Sequence, residues 1–429
     1  MFNRILVGAI AALLAVVVFP PAPAGAVQQD GCSTILSPGQ SVDDAVRQAR
    51  EGAVICLRSG IYSPLTVGSS APAGVTVRGV SEGVNVVGTR TRPAVSIEAD
   101  RFTLEGVVTR EGAPMTVRVA DAAGLVLRNV RVEGASVGIV LDFVTMARLL
   151  DVSINAPIDA GLIVENRSTV TAERLTVNGG GIGVAALSDG TSLTMRGGRI
   201  EGSHGPAIFA GVPGCADLTA ATVVVPNCYY TDAARYISSV RVLLEDVTVN
   251  DGPGAGIVLF PGITAQLNRT SILGRGRGGL LAWGADLTAT DSLVEANWEY
   301  GVAVRAYPHA GAQGFPMASG RLLRTTVRST RSLSARLGGN GVIGAGAQLS
   351  VRESSLVWND SAGIAMTEGS SGDLRDNTVI ENHGVAICVS ADSTVSESGN
   401  QLSGNQQNLV LTCGRAAGDR IAVGPGEPD

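Results

Sequence analysis

The stretch GLLAWGADLTATDSLVEANWEY, residues 279–300, decides the fold, and the glycine at 301 starts the same pattern again. It opens with a glycine and aliphatic residues and continues with two segments in which apolar and polar residues alternate. Such alternation predicts half-buried β-strands, and the polar residues between the segments predict tight turns. One unit of about 22 residues therefore holds three short strands and three turns.

The glycine-aliphatic opening recurs along most of the chain, mostly at steps of 21 to 23 residues. The copies are GIVL (138–141), GLIV (161–164), GVAA (183–186), GIVL (256–259), GLLA (279–282), GVAV (301–304), GVIG (341–344), GIAM (363–366) and GVAI (384–387). One unit cannot bury its own inward side chains, so the units must stack on one another. The repeat predicts an all-β parallel β-helix in which each unit is one rung.

Two other architectures fit this pattern less well. A β-sandwich would show hairpin turns and no fixed period. A leucine-rich horseshoe would need one strand per repeat and the consensus L-x-x-L-x-L-x-x-N, which this sequence lacks.

A short helix is predicted before the first rung, in SVDDAVRQAREG (41–52). Ser41 and Asp44 come close to a capping-box pattern, and Gly52 is a typical helix end. The apolar residues of the segment fall on one helical face: Val42, Ala45, Val46 and Ala49. This helix is expected to lie over the open first rung and to protect its unpaired strand edge.

The helix, the segments GAVICLRSGIYSPLTV (52–67) and GVTVRGV (74–80), and the glycine-aliphatic rungs together resemble the secreted right-handed parallel β-helix proteins, the pectate-lyase-like superfamily. The resemblance implies a single-stranded right-handed β-helix over residues 27–413, followed by a flexible tail at 414–429. It implies no single activity, because that superfamily includes lyases, epimerases, hydrolases and proteins with no known reaction.

Residues 1–26 have the features of a signal peptide: Arg4, an apolar run of about 15 residues, and the exit PPAPAGA. An uncleaved anchor is the alternative, but the run is shorter than the roughly 20 residues that a bilayer crossing needs. We therefore expect a secreted, periplasmic or cell-surface protein with no membrane insertion after cleavage. The net charge of −6 excludes a strongly basic nucleic-acid binder.

Six cysteines follow the leader, and an even number in an exported chain predicts disulfides. They form three local couples, so nearest-neighbour pairing is the simplest choice: Cys32–Cys56, Cys215–Cys228 and Cys388–Cys413. A metal site is the weaker alternative, because no C-x-x-C or C…H-x-H spacing occurs.

Two intervals exceed the period, from Gly205 to Gly256 and from Gly301 to Gly341, which predicts loop insertions near 210–238 and 305–340. Both begin after a glycine-aliphatic strand and therefore leave the rung at the same corner, three rungs or about 14 Å apart. Because loops on a regular scaffold commonly carry function, we expect a groove along the glycine-aliphatic sheet.

The opposite corner, which precedes each glycine, carries polar and aromatic side chains suited to an extended glycan. The candidate binding residues are Trp298, Glu299, Tyr300, Asn359, Asp360 and His383. The alternative is that asparagine and glycine serve the turn itself.

The candidate catalytic residues are Arg305, Tyr307 and His309, in the segment RAYPHA (305–310). Uronate β-elimination or epimerisation needs a cation beside the carboxylate and a base for the C5 proton, which this set would supply. The segment differs from the YG-x-DPH run of mannuronan epimerases, and the R-x-P-x-x-R and WIDH elements of pectate lyases are absent. The polygalacturonase elements NTD and GHG are also missing, no adjacent Asp pair occurs on the glycine-aliphatic strands, and an exposed loop with an incidental histidine is the alternative.

The sequence predicts no metal and no cofactor. It has no D-x-D-x-D or nonapeptide calcium repeat, and its three histidines are far apart. The favoured function is binding of polysaccharide or cell-envelope glycan along a groove on one sheet. The alternative is a polysaccharide lyase or C5-epimerase acting on uronate polymers; a copper-delivery β-helix would need a histidine or methionine cluster, which the chain lacks.

Overall fold

The computed structural model describes residues 31–111, 114–134, 136–211, 239–306, 317–334 and 337–410. These residues form the predicted right-handed parallel β-helix, with three strand positions per rung and one short helix. We name its sides the first face, the second face and the glycine face, in the order in which the chain visits them within a rung.

The first face is a ladder of parallel strands that alternate inward and outward side chains. Its strands are Thr34–Leu36, Val54–Leu57, Thr76–Gly79, Thr103–Glu105, Val126–Arg128, Ala147–Leu150, Thr169–Asn178, Ser192–Glu201, Arg241–Glu245, Thr264–Asn268, Asp286–Thr290, Ser319–Leu323, Gln348–Arg352, Ser371–Arg375 and Thr394–Ser398. Two of them, Thr169–Asn178 and Ser192–Glu201, continue into the second face.

The second face follows after a turn of a few residues. Its other strands are Gly60–Tyr62, Val84–Val87, Val108–Arg110, Arg131–Glu133, Ser153–Asn155, Thr248–Gly252, Ser271–Arg275, Leu293–Glu295, Thr326–Arg328, Ser355–Val357, Thr378–Ile380 and Gln401–Ser403.

The glycine face is a separate sheet that has 14 parallel strands within the described ranges. They are Leu65–Val67, Val95–Ile97, Met115–Ala120, Val137–Asp142, Ala160–Glu165, Ile182–Leu187, Ile208–Gly211, Ile257–Leu259, Leu280–Trp283, Tyr300–Arg305, Asn340–Ala345, Ile364–Thr367, Val385–Val389 and Gln407–Val410. The predicted glycine-aliphatic segments lie in these strands.

The glycines of this face stand where consecutive rungs approach too closely for a side chain. A Cβ at Gly301 would lie 2.3 Å from Val327 Cγ1 and 2.6 Å from the carbonyl oxygen of Gly341. The alignment differs from the predicted one at two rungs. The register Ile208↔Ile257 places Ala207, not Gly205, in this column, and Ile364↔Ile387 places Ala386 there, not Gly384.

Stacking buries columns of aliphatic side chains along the axis. One inward column of the first face runs through Leu267, Ala289, Leu322, Val351 and Leu374, all at most 2% exposed. Each fully buried leucine or valine contributes roughly 1.5–3 kcal/mol relative to an exposed one. This continuous core is what holds single rungs together.

The turn between the first and second faces is a single residue in the left-handed region, and in several rungs it carries a charge. Arg269 there forms two hydrogen bonds to Asp246 of the preceding rung (2.7 and 2.8 Å), and Arg324 does the same to Asp291. The hydrogen bond from arginine lowers the pKa of Asp246 and Asp291 below the ordinary value. Exposed ion pairs therefore run along this edge.

The helix Val42–Gln48 caps the N-terminal end, as predicted, although it ends a few residues before Gly52. The Ser41 side chain accepts a hydrogen bond from the Asp44 amide, and Val42 and Val46 are buried. Asp43 accepts a hydrogen bond from the amide of Thr66, which lies in the edge strand of the glycine face (2.9 Å). The helix thus covers the end of the core and also supplies a hydrogen-bond acceptor for one backbone amide of the edge strand.

At the other end of the described range, the inward column that contains Leu374 continues at Glu397. This carboxylate accepts a hydrogen bond from Asn400 and is exposed.

Cys32 and Cys56 form a disulfide, which confirms that pair. Cys388 is also disulfide-bonded, but its predicted partner Cys413 lies outside the described residues, as do Cys215 and Cys228. The leader 1–26 and the tail 414–429 lie outside them too. No helix in the described part of the chain is long and apolar enough to cross a membrane.

Candidate functional site

Of the predicted insertions, that near 210–238 lies outside the described residues after Gly211, and that near 305–340 is described in part. The described chain breaks off after Gly211 and again after Ala306, at the ends of glycine-face strands three rungs apart in the sheet. Within 305–340, however, Ser319–Leu323 and Thr326–Arg328 are ordinary rung strands. The second excess is therefore divided between 307–316 and a small antiparallel hairpin, Ser332–Ser334 with Leu337–Gly338.

The corner before each glycine contains a buried asparagine ladder. The side-chain amide of Asn359 donates to Asn382 (2.8 Å), and that of Asn382 donates to Asn405 (2.9 Å). Asn359 is fully buried, and its oxygen accepts the amide hydrogen of Thr330 (3.1 Å). The prediction that Asn359 contacts a ligand is therefore wrong: the residue has no exposed surface and serves the turn.

Arg275 extends this inner structure towards earlier rungs. Its guanidinium is fully buried and donates to the carbonyl oxygens of Ser203, Gly205 and Gly254 at 2.9–3.2 Å, and also to that of Asp251. Burial lowers the pKa of Arg275 to about 10, and the Asp251 charge opposes this shift. The side chain joins three rungs and is not available to a ligand.

Glu299 and Tyr300 are also buried, at 8% and 4% exposure, so the predicted contact of these side chains with a surface ligand is corrected as well. The Tyr300 ring occupies the space beside Gly278, where a Cβ would lie 1.8 Å from the ring. Burial raises the pKa of the Glu299 carboxyl, with Arg277 acting in the opposite direction, and burial also raises the pKa of Tyr300. The polarity of these corner residues predicted exposure, but at this corner both polar residues are buried.

Three predicted residues of this corner do reach the surface. Trp298 is half-buried, and the Arg331 guanidinium lies 5.9 Å from its ring centre. Asp360 and His383 stand in consecutive rungs, with Nδ1 and Oδ1 3.4 Å apart. The corner thus brings Asp360 and His383 together and holds Trp298 two rungs away, beside a cation.

Of the predicted catalytic set, only Arg305 is described, because Tyr307 and His309 lie outside the described residues. Arg305 ends a glycine-face strand, and its Nη2 lies 3.4 Å from Glu368 Oε1. Its neighbour in the preceding rung is Trp283, whose indole donates to the carbonyl of Ala306 (2.9 Å).

The outward side of the glycine face is not the polar groove that we expected. Its central outward column is apolar and at most 8% exposed: Val140, Ile163, Ala185, Phe209, Val258, Leu281, Ala303, Ile343 and Ala365. Aromatic residues extend this stripe, with Phe209 and Phe260 centred 5.3 Å apart. Among the described residues, this surface offers little to a hydrated ligand.

An open polar depression of about 550 Å³ lies instead on the first face, across five consecutive strands. Its polar lining comes from two outward positions per strand: Thr264 and Gln266, Asp286 and Thr288, Ser319 and Arg321, Gln348 and Ser350, Ser371 and Asp373. Five strands at the usual separation of neighbouring strands span about 19 Å along the axis. The depression is elongated in the direction of stacking.

Arg321 stands in the middle strand of the depression. Within the described chain, its guanidinium and the amides of Gln266 and Gln348 have no hydrogen-bond or ion-pair partner. The carboxylates are engaged: Asp286 accepts from the Ser319 hydroxyl (2.7 Å), and Asp373 from Arg352 (3.0 Å) and Arg375 (2.6 Å). Hydrogen bonds from these arginines, that from Arg352 above all, lower the pKa of Asp373.

The depression borders the corner from which the RAYPHA segment leaves. The described chain ends at Ala306 and resumes at Met317, two residues before Ser319 on the wall. Sequence reasoning missed this site, although a signal exists in five consecutive repeats. The patterns T-x-Q, D-x-T, S-x-R, Q-x-S and S-x-D place hydroxyl, amide or charged groups at matching alternate positions.

No group of three or more potential metal ligands occurs in the ranges that the structure describes. The polar groups that line the described part of the depression are hydroxyls, side-chain amides, the Arg321 guanidinium and the carboxylates of Asp286 and Asp373.

No known family model matches the chain, and no curated protein is significantly similar to it in sequence. Solved structures do match. The A-module of the Azotobacter vinelandii mannuronan C-5 epimerase AlgE6 shares 15% identity at a TM-score of 0.51, over 85% of this chain and 94% of that one. This likeness shows a common β-helix fold.

Two further matches have lower TM-scores. The catalytic unit of the α-1,3-glucanase from Streptomyces thermodiastaticus is 14% identical, with a TM-score of 0.46 over 90% of this chain and 71% of that one. An alginate lyase from Paenibacillus is 13% identical, with a TM-score of 0.37 over 89% of this chain and 99% of that one.

Proposed function

We propose that this protein binds polysaccharide in the polar depression of the first face. The observation that carries the proposal is the elongated depression itself, in which Arg321 at the centre and the amides of Gln266 and Gln348 on either side have no partner among the described residues. Because polysaccharides present hydroxyl groups at regular intervals, a row of donors and acceptors on successive rungs suits them.

The charges in the depression favour an acidic or partly acidic glycan. Arg352 and Arg375 both pair with Asp373, Asp286 carries a negative charge and accepts a hydrogen bond from Ser319, and Arg321 is a cation with no ion-pair partner in the described chain. A guanidinium is well suited to a carboxylate, which it binds through two parallel hydrogen bonds. The Azotobacter epimerase of similar fold is named for mannuronan, a polymer of an acidic sugar, which supports this class.

Binding is favoured over hydrolysis by the positions of the carboxylates. Most glycosidases need two carboxyl groups that face one bond, at most about 9.5 Å apart. Within the described part of the depression, the carboxylates are Asp286 and Asp373, which lie three strands or about 14 Å apart along the axis.

Export is part of the proposal. The leader-like segment 1–26 predicts it, and the Cys32–Cys56 disulfide is of the kind that persists in oxidising compartments. We infer a secreted, periplasmic or cell-surface protein that meets its glycan outside the cytoplasm.

The test is a binding titration of the exported protein with alginate, polygalacturonate and neutral glucans. Arg321→Ala is expected to weaken binding of the acidic polymer at least tenfold, because the guanidinium loses its carboxylate partner. Arg148→Ala is the matched control, since Arg148 occupies the same outward column several rungs earlier, outside the depression.

Equal binding by the two variants would overturn the placement of the site, and no binding of any polysaccharide would overturn the function. The same incubations are scanned for unsaturated uronates and for altered uronate ratios. Product formation that depends on Arg305 and His309 would replace binding with the lyase or epimerase function that the RAYPHA segment suggests.

A further inference from the structure

Trp358 occupies a position where the fold requires an unusual backbone. It is the turn residue between the second face and the glycine face, with φ of 56°. The equivalent turn residue elsewhere is small or polar: Gly134, Ala156, Gly179, Gly202, Asp251, Gly274, Ala296, Ser329, Glu381 and Gly404. A bulky aromatic residue in the left-handed region costs conformational energy, and Phe143 bears the same cost at another corner.

The indole ring does not repay this cost by packing. Trp358 is 51% exposed, whereas Trp283 is 5% exposed and Trp298 is half-buried. The indole nitrogen donates a hydrogen bond to the Glu381 carboxylate in the next rung. This bond restrains the orientation of the ring while leaving an apolar surface open to solvent.

Asp360 and His383 stand on the other side of the same two turns. Asn359 separates Trp358 from Asp360, Asn382 separates Glu381 from His383, and the two asparagines are hydrogen-bonded inside the fold. Asp360 also accepts from the Ser332 amide (2.9 Å), which fixes its carboxylate. The hydrogen-bonded Asn359 and Asn382 therefore hold the residues on either side of them at matching positions of two consecutive rungs, which are about 5 Å apart along the axis.

We propose that Trp358, Glu381, Asp360 and His383 form a second glycan site, which takes an uncharged pyranose ring of a polysaccharide. The exposed indole supplies an apolar platform for the C–H face of the sugar, and the carboxylates accept hydrogen bonds from its hydroxyl groups. This inference rests on the proposed glycan-binding function and adds a separate surface to it.

The charge of this site distinguishes it from the depression. Glu381 and Asp360 repel a uronate carboxylate, whereas Arg321 attracts one. The two sites lie on different sides of the β-helix, since Trp358 follows a second-face strand and Arg321 lies within a first-face strand. One molecule would thus hold an acidic glycan at one surface and a neutral glycan at the other.

The experiment uses the intrinsic fluorescence and acrylamide quenching of the whole protein, titrated with cellohexaose, xylohexaose and mannohexaose. At least one neutral hexasaccharide is expected to shift the emission to the blue and to protect the exposed tryptophan from quenching. Trp358→Ala is expected to abolish the signal and to weaken binding, measured by calorimetry, at least tenfold. Glu381→Gln is expected to weaken it about threefold.

Phe143→Ala is the matched control, because Phe143 is also aromatic, half exposed and left-handed, but lies at another corner without a carboxylate partner. It is expected to leave binding unchanged. Circular dichroism checks that each variant folds, and Trp358→Phe, which keeps a ring, is expected to retain part of the affinity if Trp358→Ala is unstable.

Three outcomes decide between the proposals. Neutral-glycan binding that persists in Trp358→Ala, or that is lost instead in Trp298→Ala, overturns the second site. Failure of every neutral hexasaccharide, with Arg321-dependent binding of an acidic polymer intact, overturns the second site and leaves the proposed function standing. If the unmodified protein binds neither an acidic polymer nor a neutral hexasaccharide, both proposals are overturned.

Discussion

The glycine face and the first face are built on the same alternation of inward and outward residues, yet their outward sides differ in polarity and in exposure to solvent. Phe209, Leu281 and Ile343 on the glycine face are at most 7% exposed. At similar heights on the first face, Gln266, Arg321 and Gln348 are exposed and polar. The regular backbone thus leaves the outward columns free to differ in polarity and exposure.

The inward columns of the two faces show no such difference. Leu280 and Val302 on the glycine face, and Leu322 and Val351 on the first face, are all at most 1% exposed. The core therefore tolerates little variation anywhere along the axis, whereas polar and apolar surfaces are chosen independently on each face. Four predictions test this contrast, from the largest expected change in stability to the smallest.

The largest effect is expected from a charge placed in the apolar stripe. Ile343→Asp should lower the free energy of unfolding by about 3 kcal/mol or more, because an unpaired carboxylate loses its hydration there. Urea denaturation of the purified protein measures it. Ser350→Asp, an outward position in the depression, is the control and should change stability by less than about 0.5 kcal/mol. Equal losses would contradict the contrast between the faces.

The glycine column provides the second test. Gly301→Ala should cost about 1–3 kcal/mol, because the new methyl group would overlap Val327 Cγ1 and the Gly341 carbonyl. Gly68→Ala is the matched control, since a Cβ there meets nothing within 4 Å. The measurement is the thermal unfolding midpoint. An unchanged midpoint in Gly301→Ala would show that consecutive rungs can move apart at this corner.

The carboxylates of Glu165 and Asp291 should affect the pH dependence of protein stability with opposite signs. Burial, followed by the neighbouring Asp142, raises the pKa of Glu165 at the edge of the glycine face. Its contribution to stability is therefore present below the unfolded-state pKa, near 4.5, and is lost as the pH rises through the folded-state value. Glu165→Gln should stabilise the protein at pH 7 by less than about 1 kcal/mol, and the gain should vanish below about pH 4.

Asp291, in the turn after a first-face strand, should behave in the opposite way. The hydrogen bond from Arg324 lowers its pKa below 3.8, so its contribution is present above that pH and is lost as the pH falls through the folded-state value. Asp291→Asn should destabilise the protein at pH 7, and its effect should shrink as the pH falls through the folded-state pKa. Urea midpoints across pH 2–8 test both variants, and shifts of the same sign would contradict the assignment.

The smallest effect on stability is expected for Arg321→Ala, within about 0.5 kcal/mol of the unmodified protein, because the side chain is exposed and unpaired in the described chain. Thermal unfolding followed by circular dichroism measures it. A larger loss would indicate a structural role for Arg321 and would remove the reason to regard it as a ligand contact.

Much of the fold could be predicted because it is written in local patterns. The rung repeat, the capping helix with Ser41 and the Cys32–Cys56 bond all depend on residues close in the chain or one rung apart. The site was harder to predict. Polar residues at corners looked equivalent in sequence, but Asn359 turns inward, Tyr300 packs in the apolar stripe outside the glycine face, and Asp360 and His383 are exposed.

What the sequence determined by itself is the alternation that sends one side chain into the core and the next one out, and hence the stacked rungs. What only the tertiary structure decided is which outward side chains become neighbours. Arg321 lies beside Thr288 and Ser350, and Trp358 meets Glu381, through pairing between distant strands. That register depends on loop lengths and on close contacts such as those at the glycine column, and these are set between rungs rather than within them.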